Sequence, residues 1–122
     1  MKKWSYVFFL GFLLNFLWEN IHSGLYIHYR GGTISQFILF RAAIVDALII
    51  LVLILVLKRF NRSWLIILFG IGVAVVLEWF ALYSGRWAYA DMMPIIPIIQ
   101  TGLTPTIQLG LTGYIVYRKI II

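Results

Sequence analysis

Residues 47–57 read Ala-Leu-Ile-Ile-Leu-Val-Leu-Ile-Leu-Val-Leu, an apolar run that closes a longer hydrophobic segment beginning near Ser35. A helix that crosses a membrane needs ~20 mostly apolar residues, and the segment 35–57 satisfies that requirement. Outward from it, three further segments do the same, at about 4–25, 64–83 and 95–117. The sequence therefore predicts an all-α, polytopic membrane protein, in which residues 1–122 form one domain, a four-transmembrane-helix bundle.

The composition favours the same class. Hydrophobic residues make up 63% of the chain and charged residues only 11%, so a soluble domain of this size would expose large apolar patches. The chain has no cysteine, which excludes disulfides, thiol catalysis and cysteine-ligated metal sites. The formal net charge of +6 comes mostly from residues at the predicted helix ends. We therefore expect the lipid bilayer as a partner, and no nucleic acid.

The basic residues are distributed unevenly between the two sides of the predicted bundle. An even number of helices places both termini and the middle loop on one side, and the positive-inside rule assigns the more basic side to the cytoplasm. We expect a multi-pass protein of the plasma (cytoplasmic) membrane with cytoplasmic N- and C-termini. This excess of basic residues on one side argues against an antiparallel dimer, whereas a parallel homo-oligomer remains compatible with it. The cytoplasmic side carries Lys2, Lys3, Lys58, Arg59, Arg62, Arg118 and Lys119; the other carries Arg30, Arg86 and, just inside the second helix, Arg41.

Four ionisable residues fall inside the predicted spans, where charge is costly and therefore a functional candidate by default. They are Glu19, Arg41, Asp46 and Glu78. At a helical rise of ~1.5 Å per residue, they share with Gln108 one layer that runs from the middle of the bilayer into its outer half. Clustered carboxyls in a low dielectric favour protonation of one of them or a bound cation. We interpret the layer as one buried polar site suited to proton transfer.

The roles predicted for this site follow from residue type. Carboxyl groups can give and take protons, whereas indoles, amides, imidazole and guanidinium groups can wall a pocket or hold a phosphate head group. The absence of a tight ligand spacing such as His-Glu-x-x-His argues against a metal site, and we expect no cofactor. The predicted catalytic residues are Glu19, Asp46 and Glu78; the predicted substrate-binding residues are Asn15, Trp18, His22, Arg41, Trp79, Arg86 and Gln108.

A structural role is the alternative for the acids. Glu19 and Glu78 could pair with Arg41 or accept a hydrogen bond from a glutamine, and so lock the bundle without doing chemistry. Pro105 falls inside the predicted fourth helix, where its missing N–H would leave the carbonyl near Thr101 without a helical partner. A neighbouring group or a cavity would then have to satisfy that carbonyl.

A set of stretches along the chain carries a family resemblance: residues 15–19 (Asn-Phe-Leu-Trp-Glu), Asp46, Glu78-Trp79, residues 85–89 (Gly-Arg-Trp-Ala-Tyr), Pro94, Pro97, Pro105 and Gln108. Together they resemble a group of small bacterial four-helix membrane proteins to which no activity has been assigned. Within this set, Glu78 precedes a Gly-x-Trp-x-Tyr stretch at residues 85–89. In this feature the chain is similar, more distantly, to integral membrane carotenoid-pathway enzymes of the lycopene cyclase and hydratase type, whose Pro-x-Glu-Glu motif is absent here.

Three functions fit these observations. The first is a membrane-embedded enzyme doing acid–base chemistry on a lipophilic small molecule, an isoprenoid or another lipid. The second is a small proton-coupled transporter or channel. The third is an accessory subunit or assembly factor, whose buried charges would pair with the helices of a partner.

Overall fold

The computed structural model describes residues 2–121, and within them the chain is mostly helical. Two short strands interrupt the helices, and the architecture agrees with the predicted all-α class. The helices are α1 (Lys2–His22), α2 (Gln36–Leu57), α3 (Trp64–Tyr83) and α4 (Leu103–Val116); the strands are β1 (Tyr26–Tyr29) and β2 (Trp87–Tyr89).

The helices pack as two hairpins. α1 lies mainly against α2 and α3 mainly against α4, whereas α2 makes few contacts with α3. Val7, Ile50, Ile54 and Val116 are fully buried and form the core at the end that holds both chain termini. The bundle is thus closely packed at that end, and α2 and α3 are free to enclose a space toward the other.

Two glycines bring α3 and α4 into backbone contact. A Cβ atom added at Gly70 would come within 2.5 Å of Gly110 Cα, and one added at Gly110 would come within 2.7 Å of the Ile67 carbonyl oxygen. Small residues at helix crossings permit this close approach in membrane bundles. Gly70 and Gly110 therefore have a packing role at the crossing of α3 and α4.

The two strands form an antiparallel ribbon at the opposite end. Tyr26 pairs with Tyr89 and Tyr29 with Trp87, and the Ala90 N–H donates to the Leu25 carbonyl at 2.7 Å. From the sequence alone, the glycine-rich residues 29–33 and the polar stretch 84–94 indicate only a turn and a loop between helices. We refer to β1 and β2 together as the ribbon.

The fourth helix begins later in the structure than the sequence predicts. Residues near Ile95, expected to be helical, form an irregular segment, and α4 begins at Leu103. Proline disfavours helical backbone in the residue before it, and Ile98 and Gln100 adopt positive φ angles of 75° and 59°. Prolines 94 and 97 therefore hold this segment out of the helix.

Pro105 consequently lies in the first turn of α4 and not in its interior. Backbone N–H groups of a first turn have no partner within the helix, so proline removes nothing there. The Thr101 carbonyl, expected to lack a partner, accepts from the Ile96 N–H at 2.9 Å.

Within residues 2–121, two helices are long and apolar enough to cross a membrane, Gln36–Phe60 and Trp64–Tyr83. α1 is of similar length but carries Asn15, Glu19 and Asn20, and α4 has 14 residues before a π-helical turn, Tyr117–Ile121, continues it. The geometry therefore supports two spanning segments directly, fewer than the four expected.

Candidate functional site

A cavity of about 300 Å³ lies between α2 and α3 and is bordered by the ribbon. It collects side chains from all four helices. Glu19 of α1, Asp46 of α2 and Glu78 of α3 line it together with Gln108 of α4. The polar layer expected from the sequence thus borders one space.

Glu78 is the most enclosed of the three acids, with 6% of its surface exposed. Its Oε1 accepts hydrogen bonds from the hydroxyl of Tyr26 at 3.1 Å and from that of Tyr89 at 2.5 Å. The Gly102 N–H in turn donates to the Tyr89 oxygen at 2.9 Å. Glu78 therefore ties both strands of the ribbon, and the segment before α4, to helix α3.

Both phenols stay protonated in this arrangement. Burial raises the pKa of Tyr26, and the negative charge of Glu78 raises that pKa further. Burial and the hydrogen bond to Glu78 likewise raise the pKa of Tyr89. Charged phenolates would be poorly solvated and would repel the carboxylate, so the two residues act as hydrogen-bond donors to Glu78.

Asp46 is held by an amide network. Gln108 Nε2 donates to Asp46 Oδ2 at 3.0 Å and to Asn15 Oδ1 at 2.9 Å. Asn15 is fully buried and donates to the Gly11 carbonyl at 2.8 Å. Asn15 therefore accepts one hydrogen of the Gln108 amide and fixes its orientation, and Gln108 donates the other hydrogen to Asp46.

Glu19 is held by histidine. His22 Nε2 lies 3.2 Å from Glu19 Oε2, and His22 Nδ1 lies 2.9 Å from the hydroxyl oxygen of Thr104. When Nε2 carries the proton and donates to Glu19, Nδ1 accepts from Thr104. Among residues 2–121 this is the only close pair of a carboxylate with a basic side chain.

The three carboxyl groups share one feature. Each is fixed through a single oxygen, Glu78 through Oε1, Asp46 through Oδ2 and Glu19 through Oε2. For the second oxygen of each group, no hydrogen bond to another described residue is present. A carboxyl held at one oxygen with the other free can exchange a proton with a molecule in the cavity.

Arg41 and Arg86 border the cavity without pairing with an acid. Arg41 donates to the Tyr29 hydroxyl oxygen at 3.0 Å, and the Arg86 guanidinium lies 5.0 Å from the centre of the Phe80 ring. The alternative in which Arg41 neutralises Glu19 or Glu78 therefore does not describe this structure. The glutamine alternative applies to Asp46 instead.

The remaining expected binding residues lie outside the cavity lining. Asn15 and His22 stand behind it and position Gln108 and Glu19. Trp79 is 38% exposed and donates to the Ile99 carbonyl at 2.7 Å, so it fastens the segment before α4. The buried indole nitrogen of Trp18 has no hydrogen-bond partner among residues 2–121.

Sequence reasoning missed the tyrosines of the ribbon as site residues. From the sequence alone, Tyr26, Tyr29 and Tyr89 are typical of aromatic residues at a membrane interface. The strand pairing that brings Tyr26 and Tyr29 to the cavity and Tyr89 to Glu78 joins distant parts of the chain, so no local pattern indicates it. The sequence offers one local signal: Asn15, Glu19, His22 and Tyr26 are spaced four, three and four residues apart, which predicts that they share one helical face.

The cavity opens sideways between the helix hairpins. Val45 of α2 and Leu77 and Phe80 of α3 line it and are themselves substantially exposed. Because α2 and α3 make few contacts with each other, an apolar chain could enter between them. No cluster of three or more metal-ligating His, Asp or Glu side chains occurs in residues 2–121.

Comparison with known proteins finds no matching protein family, no matching curated protein and no matching solved structure. The two resemblances therefore stay hypotheses.

Proposed function

We propose that the protein is an integral membrane enzyme that performs acid–base chemistry on a lipophilic substrate, an isoprenoid or another lipid, in the outer half of the plasma membrane. In this proposal all four helices cross the bilayer, with both termini in the cytoplasm. The exposed apolar faces of α2 and α3 support the membrane setting, because side chains such as Val52, Leu68 and Val76 are more than half exposed.

The observation that carries the proposal is the cavity between the hairpins. Three carboxyl groups, each with one oxygen free of bonds to described residues, border a space whose side opening is apolar. Pockets of this size with a few convergent polar groups are typical of small-molecule sites. An opening toward lipid favours a substrate that arrives from the bilayer.

Glu78 is the best candidate for the residue that transfers the proton. It is the most buried acid, and the two tyrosines keep its Oε1 fixed while Oε2 remains available. A protonated Glu78 would deliver its proton to a double bond or leaving group, and Asp46 would stabilise the resulting cation. The chain Glu19–His22–Thr104 offers a route for a proton to enter or leave.

The test is Glu78→Gln, which keeps an oxygen acceptor for both tyrosines but cannot transfer a proton. Purified wild-type and variant protein are incubated with total lipid extract, and substrates and products are measured by mass spectrometry. We expect a lipid species that the wild type converts and Glu78→Gln leaves unchanged, with equal melting temperatures for the two proteins. Conversion of the same species by Glu78→Gln would overturn the assignment.

A proton-coupled transporter is the second candidate. The acids lie between two hairpins that make few contacts with each other across α2 and α3, which is the arrangement that rocking of one hairpin against the other would require. In proteoliposomes, proton-driven flux that Glu19→Gln abolishes would favour this candidate. A stoichiometric membrane partner that copurifies with the protein would instead favour the accessory-subunit alternative.

A further inference from the structure

We infer that the ribbon end of the cavity is a binding site for the phosphate ester head group of the lipophilic substrate. The inference rests on the proposed function and specifies the substrate class. Four side chains carry it: Arg41, Arg86, Tyr29 and His28, all of which line the cavity. We call these four the head-group site.

The two guanidinium groups are positioned by aromatic rings and not by acids. Arg41 lies 5.8 Å from the centres of both the Tyr29 and Phe37 rings, and Arg86 lies 5.0 Å from that of Phe80. No carboxylate among residues 2–121 comes within 4.0 Å of either. Stacking leaves most guanidinium N–H groups free, in the planar fork that matches phosphate oxygens.

The two neutral members also present hydrogen-bond donors. The Tyr29 oxygen accepts from Arg41, so its own O–H remains to be donated. His28 Nδ1 accepts from the Gly31 N–H at 3.0 Å, which places the proton of the neutral imidazole on Nε2. The head-group site therefore offers two positive charges and two neutral donors.

This set suits an anion with a charge near two. A phosphate monoester carries about −1.5 to −2 at neutral pH, which two arginines can balance. Asp46 lies five positions further into α2 than Arg41, or roughly 7.5 Å along the helix at ~1.5 Å per residue. A phosphate at the head-group site would place the carbon atoms attached to it beside the acids, with the rest of the chain passing between α2 and α3.

The experiment measures the binding of dodecyl phosphate to the full-length protein in maltoside detergent by native mass spectrometry. We expect Arg41→Gln and Arg86→Gln each to weaken binding about ten- to a hundred-fold, the loss typical of a charge-assisted hydrogen bond. The matched control is Arg59→Gln. Arg59 also lies over an aromatic ring, that of Phe60, but is exposed at the opposite end of α2, so its loss should leave binding unchanged.

Three outcomes would overturn the inference. The first is equal binding of dodecyl phosphate to the wild type and to the Arg41→Gln/Arg86→Gln double variant. The second is preferential binding of dodecyltrimethylammonium, which would assign the head group to the carboxylates. The third is inorganic phosphate binding as tightly as dodecyl phosphate and displacing it, which would indicate a site for free phosphate.

A cavity-filling variant separates failure of this inference from failure of the proposed function. Ala42 lines the cavity from α2, and Ala42→Phe should block every amphiphile whatever its head group. If dodecyl phosphate binding depends on Ala42 but not on the arginines, the lipophilic pocket stands and the head-group site is wrong. If Ala42→Phe has no effect on any amphiphile, both are wrong.

Discussion

At the scale of single residues, the site is built from carboxyl groups held by uncharged donors. Phenols hold Glu78, an amide holds Asp46 and an imidazole holds Glu19. A guanidinium partner would fix an acid in its ionised form, whereas neutral donors permit both the charged and the protonated form. Under the proposed function, this choice of partners allows the acids to give and take protons.

Tyr89 should contribute more to stability than Tyr26. Its hydroxyl donates to Glu78 and accepts from the Gly102 N–H, whereas Tyr26 makes only the bond to Glu78. Tyr89→Phe removes one of the two hydrogen bonds to Glu78 and leaves the Gly102 N–H without its partner, and a buried group without a partner costs about 1–3 kcal/mol. The melting temperature should therefore fall more than for Tyr26→Phe, which removes only a bond to Glu78. Tyr83, 89% exposed, provides the control Tyr83→Phe. Equal melting temperatures for Tyr89→Phe and Tyr83→Phe would contradict the stabilising role of the Tyr89 hydroxyl.

The same tyrosines predict a loss of stability at alkaline pH. Their folded-state pKa values lie above the usual range because of burial and Glu78, whereas in the unfolded chain a tyrosine titrates near ~10. Their contribution is therefore complete below pH ~10 and declines as the pH rises toward the folded-state values. Melting temperatures measured from pH 8 upward should fall above pH ~10, and less steeply in the Tyr26→Phe/Tyr89→Phe variant. Parallel curves for the two proteins would argue against this linkage.

At the scale of elements, the sequence predicts what local composition determines. The apolar runs define α2 and α3 almost to the residue, since each is a largely hydrophobic segment bounded by polar residues. The predicted start of α4 is wrong because hydrophobicity alone cannot distinguish a helix from an apolar irregular segment. Ile98 lies in such a segment and is 95% exposed. The ribbon is not predicted for another reason, because the pairing of Tyr26 with Tyr89 depends on the whole fold.

The crossing of α3 and α4 should be intolerant of a single methyl group. A Cβ at Gly70 would overlap the backbone of Gly110, which cannot move aside as a side chain could. Gly70→Ala should therefore destabilise the protein by about 1–3 kcal/mol despite the higher helix propensity of alanine. Gly72 lies on the same helix, and apart from its two chain neighbours and the backbone of its own helix no atom of residues 2–121 lies within 4 Å of an added Cβ. Gly72→Ala should therefore be neutral or stabilising. Equal unfolding free energies for the two variants would show that the helices do not cross at this point.

At the scale of the whole molecule, the sequence predicts that the polar residues lie at one depth, but it does not predict how they are hydrogen-bonded to one another. Depth along four helices brought Glu19, Asp46, Glu78 and Gln108 to one level, and the cavity gathers all four. The hydrogen-bond partners of each acid depend on how the hairpins rotate against one another, which no periodicity specifies. The uneven distribution of basic residues is also a property of the whole molecule, because it predicts which end of the bundle faces the cytoplasm.

That orientation can be measured directly, since the chain has no cysteine and single cysteines can be introduced. Ser63 and Ser84 adjoin the two ends of α3, and 20 helical residues rise roughly 30 Å, about the thickness of the hydrocarbon core. With intact cells and a membrane-impermeant maleimide, Ser84→Cys should be labelled, whereas Ser63→Cys should react only after permeabilisation. An even number of spans requires Lys119→Cys, near the C-terminus, to behave as Ser63→Cys does. Labelling of both ends of α3 in intact cells would show that α3 does not cross the membrane, and labelling of Lys119→Cys together with Ser84→Cys would rule out a fourth span.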